Sequence, residues 1–137
     1  MAETESFLAP YTPPLAFDVA ARYLALRAFG GAEAVSGGRY VRSVRLGAAA
    51  GWICVEPAPD SDALRVSFPS TLAAHCDEIL QRVNRLFDLE ADPAAIERHL
   101  CADPPLAPRV AAAPGLRVPG AFEAFDLVVR AVLGQQV

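Results

Sequence analysis

The sequence predicts an α+β fold: an antiparallel sheet with helices packed on one face, then an extended linker and the first helix of a truncated all-α domain. Three observations predict it. Residues 32–68 are rich in β-branched and aromatic types and are cut by turn signals too short for parallel crossovers. Two stretches, residues 16–31 and 70–87, carry apolar side chains at helical spacing. Prolines at 104, 105, 108, 114 and 119 separate these elements from a last helical pattern over residues 120–133.

Each element follows from local chemistry. Phe7, Ala9 and Tyr11 alternate ahead of Pro13 and Pro14, which suits a short edge strand. In "AFDVAARYLALRAFGG" Phe17, Ala20, Ala21, Leu24 and Ala28 share a helical face, with Gly30 expected as the left-handed terminator. "AEAVS" and "RYVRSVRL" flank Gly37-Gly38, a two-residue hairpin signal. "GWICVEP" and "ALRVSF" complete a meander, the latter burying Leu64, Val66 and Phe68 and turning Arg65 and Ser67 to water. Over residues 70–87, Leu72, Cys76, Ile79, Leu80, Val83, Leu86 and Phe87 form an apolar stripe, with Ser70 or Thr71 as cap. "DPAAIERHL" is a shorter helix with Asp92 as N-cap and Pro93 at its first position. The proline-rich residues 102–119 are expected to run extended and to divide an α+β domain, 1–101, from the start of a helical domain, 120–137. In that last segment Phe122, Phe125, Val128 or Val129, and Val132 are expected inward, with Asp126 and Arg130 paired on the outside.

Composition narrows the function classes. With 53% hydrophobic and 20% charged residues over 137 positions, a packed core is expected. No apolar run approaches the roughly 20 residues of a membrane span. The opening "MAETESF" is acidic where a secretory signal is basic, so a cytoplasmic location is the default. Cys54, Cys76 and Cys101 are too widely spaced for a CxxC site and read as buried free thiols. His75 and Cys76 are adjacent and point about 100° apart on a helix, so no metal is expected. All twelve basic residues are arginine against sixteen acidic ones, a balance that disfavours a nucleic-acid surface spanning the whole chain. Arg39, Arg42 and Arg45 form one basic stretch, a solvated strand face or a set of phosphate contacts, the former preferred. The carboxylate pairs Glu90/Asp92 and Asp60/Asp62 fall at a helix start and in a turn, where they cap backbone amides. No nucleophile–base set, phosphate loop or dinucleotide signature is present.

Three stretches, "YTPPLAFDVAARYLALRA", "RLFDLEADP" and "PGLRVPGAFEAFDLVVRAVLGQQV", together resemble the N-terminal part of the AlkA-type bacterial 3-methyladenine-DNA glycosylase II family, in the family's order and over nearly the whole chain. The resemblance implies a sheet domain similar to half of a TATA-binding protein. It implies a helical domain beyond it with a helix-hairpin-helix and a catalytic aspartate, neither of which falls on this chain; no residue here is assigned a catalytic role. It implies metal-free and cofactor-free hydrolysis of the N-glycosidic bond of alkylated purines, the developing charge on the sugar being stabilised by a carboxylate. Its partner would be alkylated double-stranded DNA, bound by the full-length protein. Gly134, Gln135 and Gln136 then resemble the loop that enters the minor groove beside the flipped base, where Gln136 stands at a place that is leucine in some members. A wedge there offsets part of the few kcal/mol needed to extrude a base. Read from the residues alone, the same three positions are a helix end broken by Gly134. A non-catalytic interaction module and the repair part of a fused adaptive-response regulator are the other expectations. Apolar surface on the terminal helix is expected to support a homodimer if its proper neighbours are missing.

Overall fold

A computed structural model describes residues 3–135, in which five strands form one antiparallel sheet of order β1-β5-β4-β3-β2. The strands are β1 Thr4–Pro10, β2 Glu33–Ser36, β3 Arg39–Leu46, β4 Ala49–Pro57 and β5 Ala63–Pro69. Both edges are short or proline-limited, which blunts pairing with other chains. Ser36 pairs with Arg39 across Gly37-Gly38, and both glycines have positive φ, 58° and 74°. That is the mirror-image turn whose twist suits adjacent antiparallel strands.

Two helices, α1 Phe17–Ala25 and α2 Cys76–Phe87, cover one face of the sheet. Phe87 stacks on Phe17 at 5.2 Å and meets Tyr40 of β3 edge-on at 5.8 Å, so both helices and the sheet share one core. Small Ala20 and Ala21 let α1 sit close to the strands. The first helix is shorter than its sequence pattern: it ends at Ala25, Ala28 lies beyond it, and Gly31, not Gly30, takes the positive φ. Residues 70–87 are also not one α-helix. Ser70–His75 is a 3-10 helix, and neither Ser70 nor Thr71 caps it through its side chain. Asp92 does cap helix α3 Pro93–Leu100, its Oδ1 accepting from the Ala95 amide at 3.0 Å.

The proline-rich segment differs from the extended expectation. Ala107–Ala111 forms a helix, α4, with Pro108 in its first turn, where a missing N–H removes no helical bond. The following residues are clamped to the body. Arg117 is buried, and its guanidinium donates to the carbonyls of Asp88 at 2.6 Å, Ala91 at 3.1 Å, Pro14 at 3.3 Å and also Thr12. Gly115 has φ +72° and lies against the Pro14 carbonyl, where a Cβ would collide; its own amide donates to Glu97 at 3.0 Å. Phe122 completes the core at 1% exposure, and helix α5, Ala124–Gly134, follows at once.

The cysteines are free; Cys54 and Cys76 are half-buried and Cys101 is exposed, so the expected full burial fails for all three. Burial pushes the Cys54 thiol up, with Glu56 adding to it. No helix among the described residues is long and apolar enough to cross a membrane.

Tyr40 supplies the first test. Its hydroxyl is buried with no hydrogen-bond partner among the described residues, and burial pushes the phenol up to about 12, Arg42 pulling the other way. An unfolded tyrosine ionises near pH 10. The neutral phenol's contribution is therefore whole below about pH 10 and is lost as pH climbs to about 12, up to roughly 3 kcal/mol. Thermal melts should show Tyr40→Phe as stable as the parent at pH 7 and distinctly more stable at pH 11.

Candidate functional site

Strand periodicity decides where the arginines of β3 go. Tyr40, Val44 and Leu46 line the core, and Arg42 shares their parity; Arg39 and Arg45 have the other parity and face water. The three therefore do not form one solvated face. Arg42 is 6% exposed and stands in register with Glu33 of β2, itself 7% exposed. Two buried opposite charges on neighbouring strands start the site.

Helix α5 completes it. Glu123, Asp126 and Arg130 lie on one side of the helix at i, i+3 and i+7. Asp126 Oδ2 accepts from Arg42 Nη2 at 2.9 Å. Arg42 Nη1 donates to Glu33 Oε1 at 3.3 Å. Arg130 Nη2 donates to both Glu33 oxygens, at 2.7 and 2.8 Å. Beside this network Arg82 of α2 donates to Glu123 at 3.2 Å. The guanidinium of Arg42 also lies 4.4 Å from the Phe122 ring centre, and that of Arg130 lies 4.8 Å from Phe29. Burial works to lower the Arg42 pKa, but Tyr40, Asp126 and Glu33 outweigh it and hold it above the usual guanidinium value.

This reverses the expected helix. Asp126 and Arg130 were to pair with each other outside; each instead reaches a partner on the sheet, where Arg42 and Glu33 are already buried and an uncompensated charge costs more than an exposed i,i+4 contact contributes. The charged side faces in, so the apolar side faces out. Phe125 is 75% exposed, and Val128, Val132, Leu127 and Leu133 are exposed with it; only Phe122 of the expected inward set is buried, and Val129 is half-buried.

Of the expected DNA-contacting residues, Gly134 and Gln135 sit at the far end of α5. Gly134 does not break the helix: it is the last helical residue, and Gln135 continues in right-handed conformation with its amide bonded to Ala131 and Val132 at 3.2 Å. Both are exposed. Gln136 lies outside the described residues. A helical glycine is roughly 0.5–1 kcal/mol less favourable than alanine, and a Cβ at Gly134 would meet nothing within 4 Å. Among the described residues, neither turn geometry nor packing requires glycine there.

Each carboxylate of the network is matched by a guanidinium, so the cluster is charge-balanced. Glu33 and Arg42 are the residues that sequence reasoning missed. The parity of Arg42 with Tyr40 and Val44 was the available signal.

Residues 7–123 match the family model described as the AlkA N-terminal domain. The chain is 39% identical over 139 residues to the probable bifunctional transcriptional activator/DNA repair enzyme AlkA of Mycobacterium tuberculosis, covering 99% of this chain and 27% of that protein. It is 34% identical over 128 residues to DNA-3-methyladenine glycosylase 2 of Escherichia coli, covering 93% of this chain and 43% of that protein. The fold superposes on 3-methyladenine DNA-glycosylase from Archaeoglobus fulgidus with a TM-score of 0.74 at 15% identity, over 96% of this chain and 45% of that one. The chain thus spans about a quarter to under half of the length of the proteins it matches.

Because Gln135 is exposed and its side chain supports no described contact, Gln135→Ala should change unfolding free energy by less than about 0.5 kcal/mol in a denaturant titration.

Proposed function

The chain belongs to the AlkA N-terminal domain family, and from that premise we propose that it is the N-terminal portion of a base-excision-repair DNA glycosylase that hydrolyses the N-glycosidic bond of alkylated purines in double-stranded DNA. The observation that carries this reading is the orientation of α5. A helix that turns its charges to its own domain and an apolar stripe outward is built to receive further helices on that stripe. The family match ends at residue 123, one position before α5 begins. Residues 1–101 are then the α+β domain, 102–119 a connection clamped against it, and 120–137 the entry to a helical glycosylase domain. A helix-hairpin-helix and the catalytic aspartate belong to that larger unit, which works on chromosomal DNA in the cytoplasm.

In this reading Gly134, Gln135 and Gln136 meet the duplex. A glycine that no contact among the described residues requires suits close approach of a partner's backbone. A flat amide beside an extruded base can stack in the vacated space and bond the orphaned partner. The chemistry needs no metal or cofactor, because a carboxylate can stabilise the cationic sugar.

A second reading of the whole protein is favoured by the relative from Mycobacterium tuberculosis, whose name joins transcriptional activation to repair. The reading frames flanking this chain separate the two. A helix-hairpin-helix followed by an aspartate downstream supports the glycosylase in both; a cysteine cluster upstream of Met1 selects the fused form. Downstream sequence without either feature would leave an interaction module instead.

Two outcomes are expected of the 137-residue chain itself. It should release no 3-methyladenine or 7-methylguanine from alkylated duplex, by chromatography of the freed bases; release above a buffer blank would overturn the division of labour. Its uncovered Phe125, Val128 and Val132 should pair with a second copy at high concentration, seen as a dimer by light scattering; a strict monomer would mean that the stripe is not a sticky face.

A further inference from the structure

The chain leading into α5 and α5 itself are held by different kinds of force. Up to Phe122 the segment is fixed by packing and backbone bonds: Phe122 is 1% exposed, and the Gly120 amide donates to the Leu86 carbonyl at 3.0 Å. Glu123 is extended, at φ −129° and ψ 140°. From Ala124 onward no residue of the helix is buried. Ion pairs tie Asp126 to Arg42 and Arg130 to Glu33. Arg42 joins the two regimes, since one guanidinium covers the Phe122 ring at 4.4 Å and donates to Asp126 at 2.9 Å.

This is the anatomy of a lever. Phe122 is the pivot, the four charges are the clip, and Gly134-Gln135 is the tip. An eleven-residue helix is about 16 Å long, so a tilt of about 10° at the pivot moves the tip by about 3 Å. Where a helix end must meet a distorted duplex, a misplacement near 1 Å already matters.

We propose that Glu33 and Arg42 are positioning residues: with Asp126 and Arg130 they form a latch through which the sheet sets the direction of α5 and of its tip. The tip's use on DNA rests on the glycosylase reading above; the latch does not. Apolar contacts alone would let the helix rotate and slide, whereas two ion pairs four residues apart, both anchored on neighbouring strands, fix rotation and register together. The clip is also balanced, two guanidiniums against two carboxylates, so it holds without leaving a net charge under the helix.

The test is made on this chain without DNA. Spin labels are placed at the exposed positions Arg45→Cys on β3 and Leu133→Cys on α5, with the three native cysteines replaced by serine. The label distance should be narrowly distributed in this parent and should broaden or shift in Asp126→Asn and Arg130→Gln. Amide exchange over α5 should speed up on the order of tenfold or more in those variants, while β3 and β4 keep parental protection. Asp126→Glu, which keeps the charge, should restore both readouts. Glu33→Gln should act like the helix-side variants; because it leaves Arg42 under-paired in the core and can unfold the chain, the helix-side pair decides. An unchanged distance distribution in Asp126→Asn and Arg130→Gln, or protection lost equally from α5 and the sheet, would overturn the latch. Failure of the glycosylase reading would appear separately, as absence of excision by the longer protein with the latch signals intact.

Discussion

A guanidinium placed under a helix must find carboxylates, and Arg42 is such a group. Removing one partner from a buried pair leaves an uncompensated charge, at roughly 3–5 kcal/mol. That constraint propagates outward. β2 must present Glu33 on its inner face, in register with Arg42. Glu33 has two oxygens and takes Arg130 as well as Arg42; Arg42 has a second nitrogen and takes Asp126. Once Asp126 and Arg130 point inward, the spacing of an α-helix leaves Phe125, Val128 and Val132 pointing out. The apolar stripe on the surface is thus a consequence of one charge beneath it.

The parts of the fold that were legible in the sequence are those set by neighbours in the chain. The Gly37-Gly38 turn fixes the β2–β3 register by itself, and the Ile79-to-Phe87 stripe identifies the face of α2 whatever lies across from it. Asp92 and Pro93 mark a helix start through a bond three residues long. The misses have the opposite character. Asp126 and Arg130 look like a local pair, but their partners lie 84 and 97 residues away, and no local pattern encodes a choice between a near partner and a buried distant one. Arg42 is a different miss: three arginines at spacing three look like a cluster on a helix-like count, while a strand sends the middle one to the opposite face.

The proline-rich segment shows the same limit from another side. Proline density argues correctly against long helices and ladder pairing, yet it is silent on tertiary capture. Arg117 gathers carbonyls from the end of α2 and from the loop ahead of α1, all of which must exist before the arginine has anything to bind. Gly115 is fitted against Pro14 in the same way. A stretch that reads as a spacer is instead bound to the body at Gly115 and Arg117, which brings Phe122 into the core at a defined point. For the candidate tip, only Gly134 and Gln135 fall within the described residues, among which no contact requires that glycine.

Buried ion pairs are a weak source of stability, since desolvation offsets much of their attraction and apolar residues of similar volume often do as well. Their persistence at a joint calls for a reason other than adhesion. Here the geometry supplies one. The same 11-residue helix could have been held by turning Phe125, Val128 and Val132 onto the sheet, which would have covered the apolar stripe that is exposed here. Holding it by charges leaves that face exposed and, because hydrogen-bonded pairs are directional where apolar contacts are not, constrains where the helix points. The direction of one helix can thereby be set by the sheet while its apolar side stays exposed.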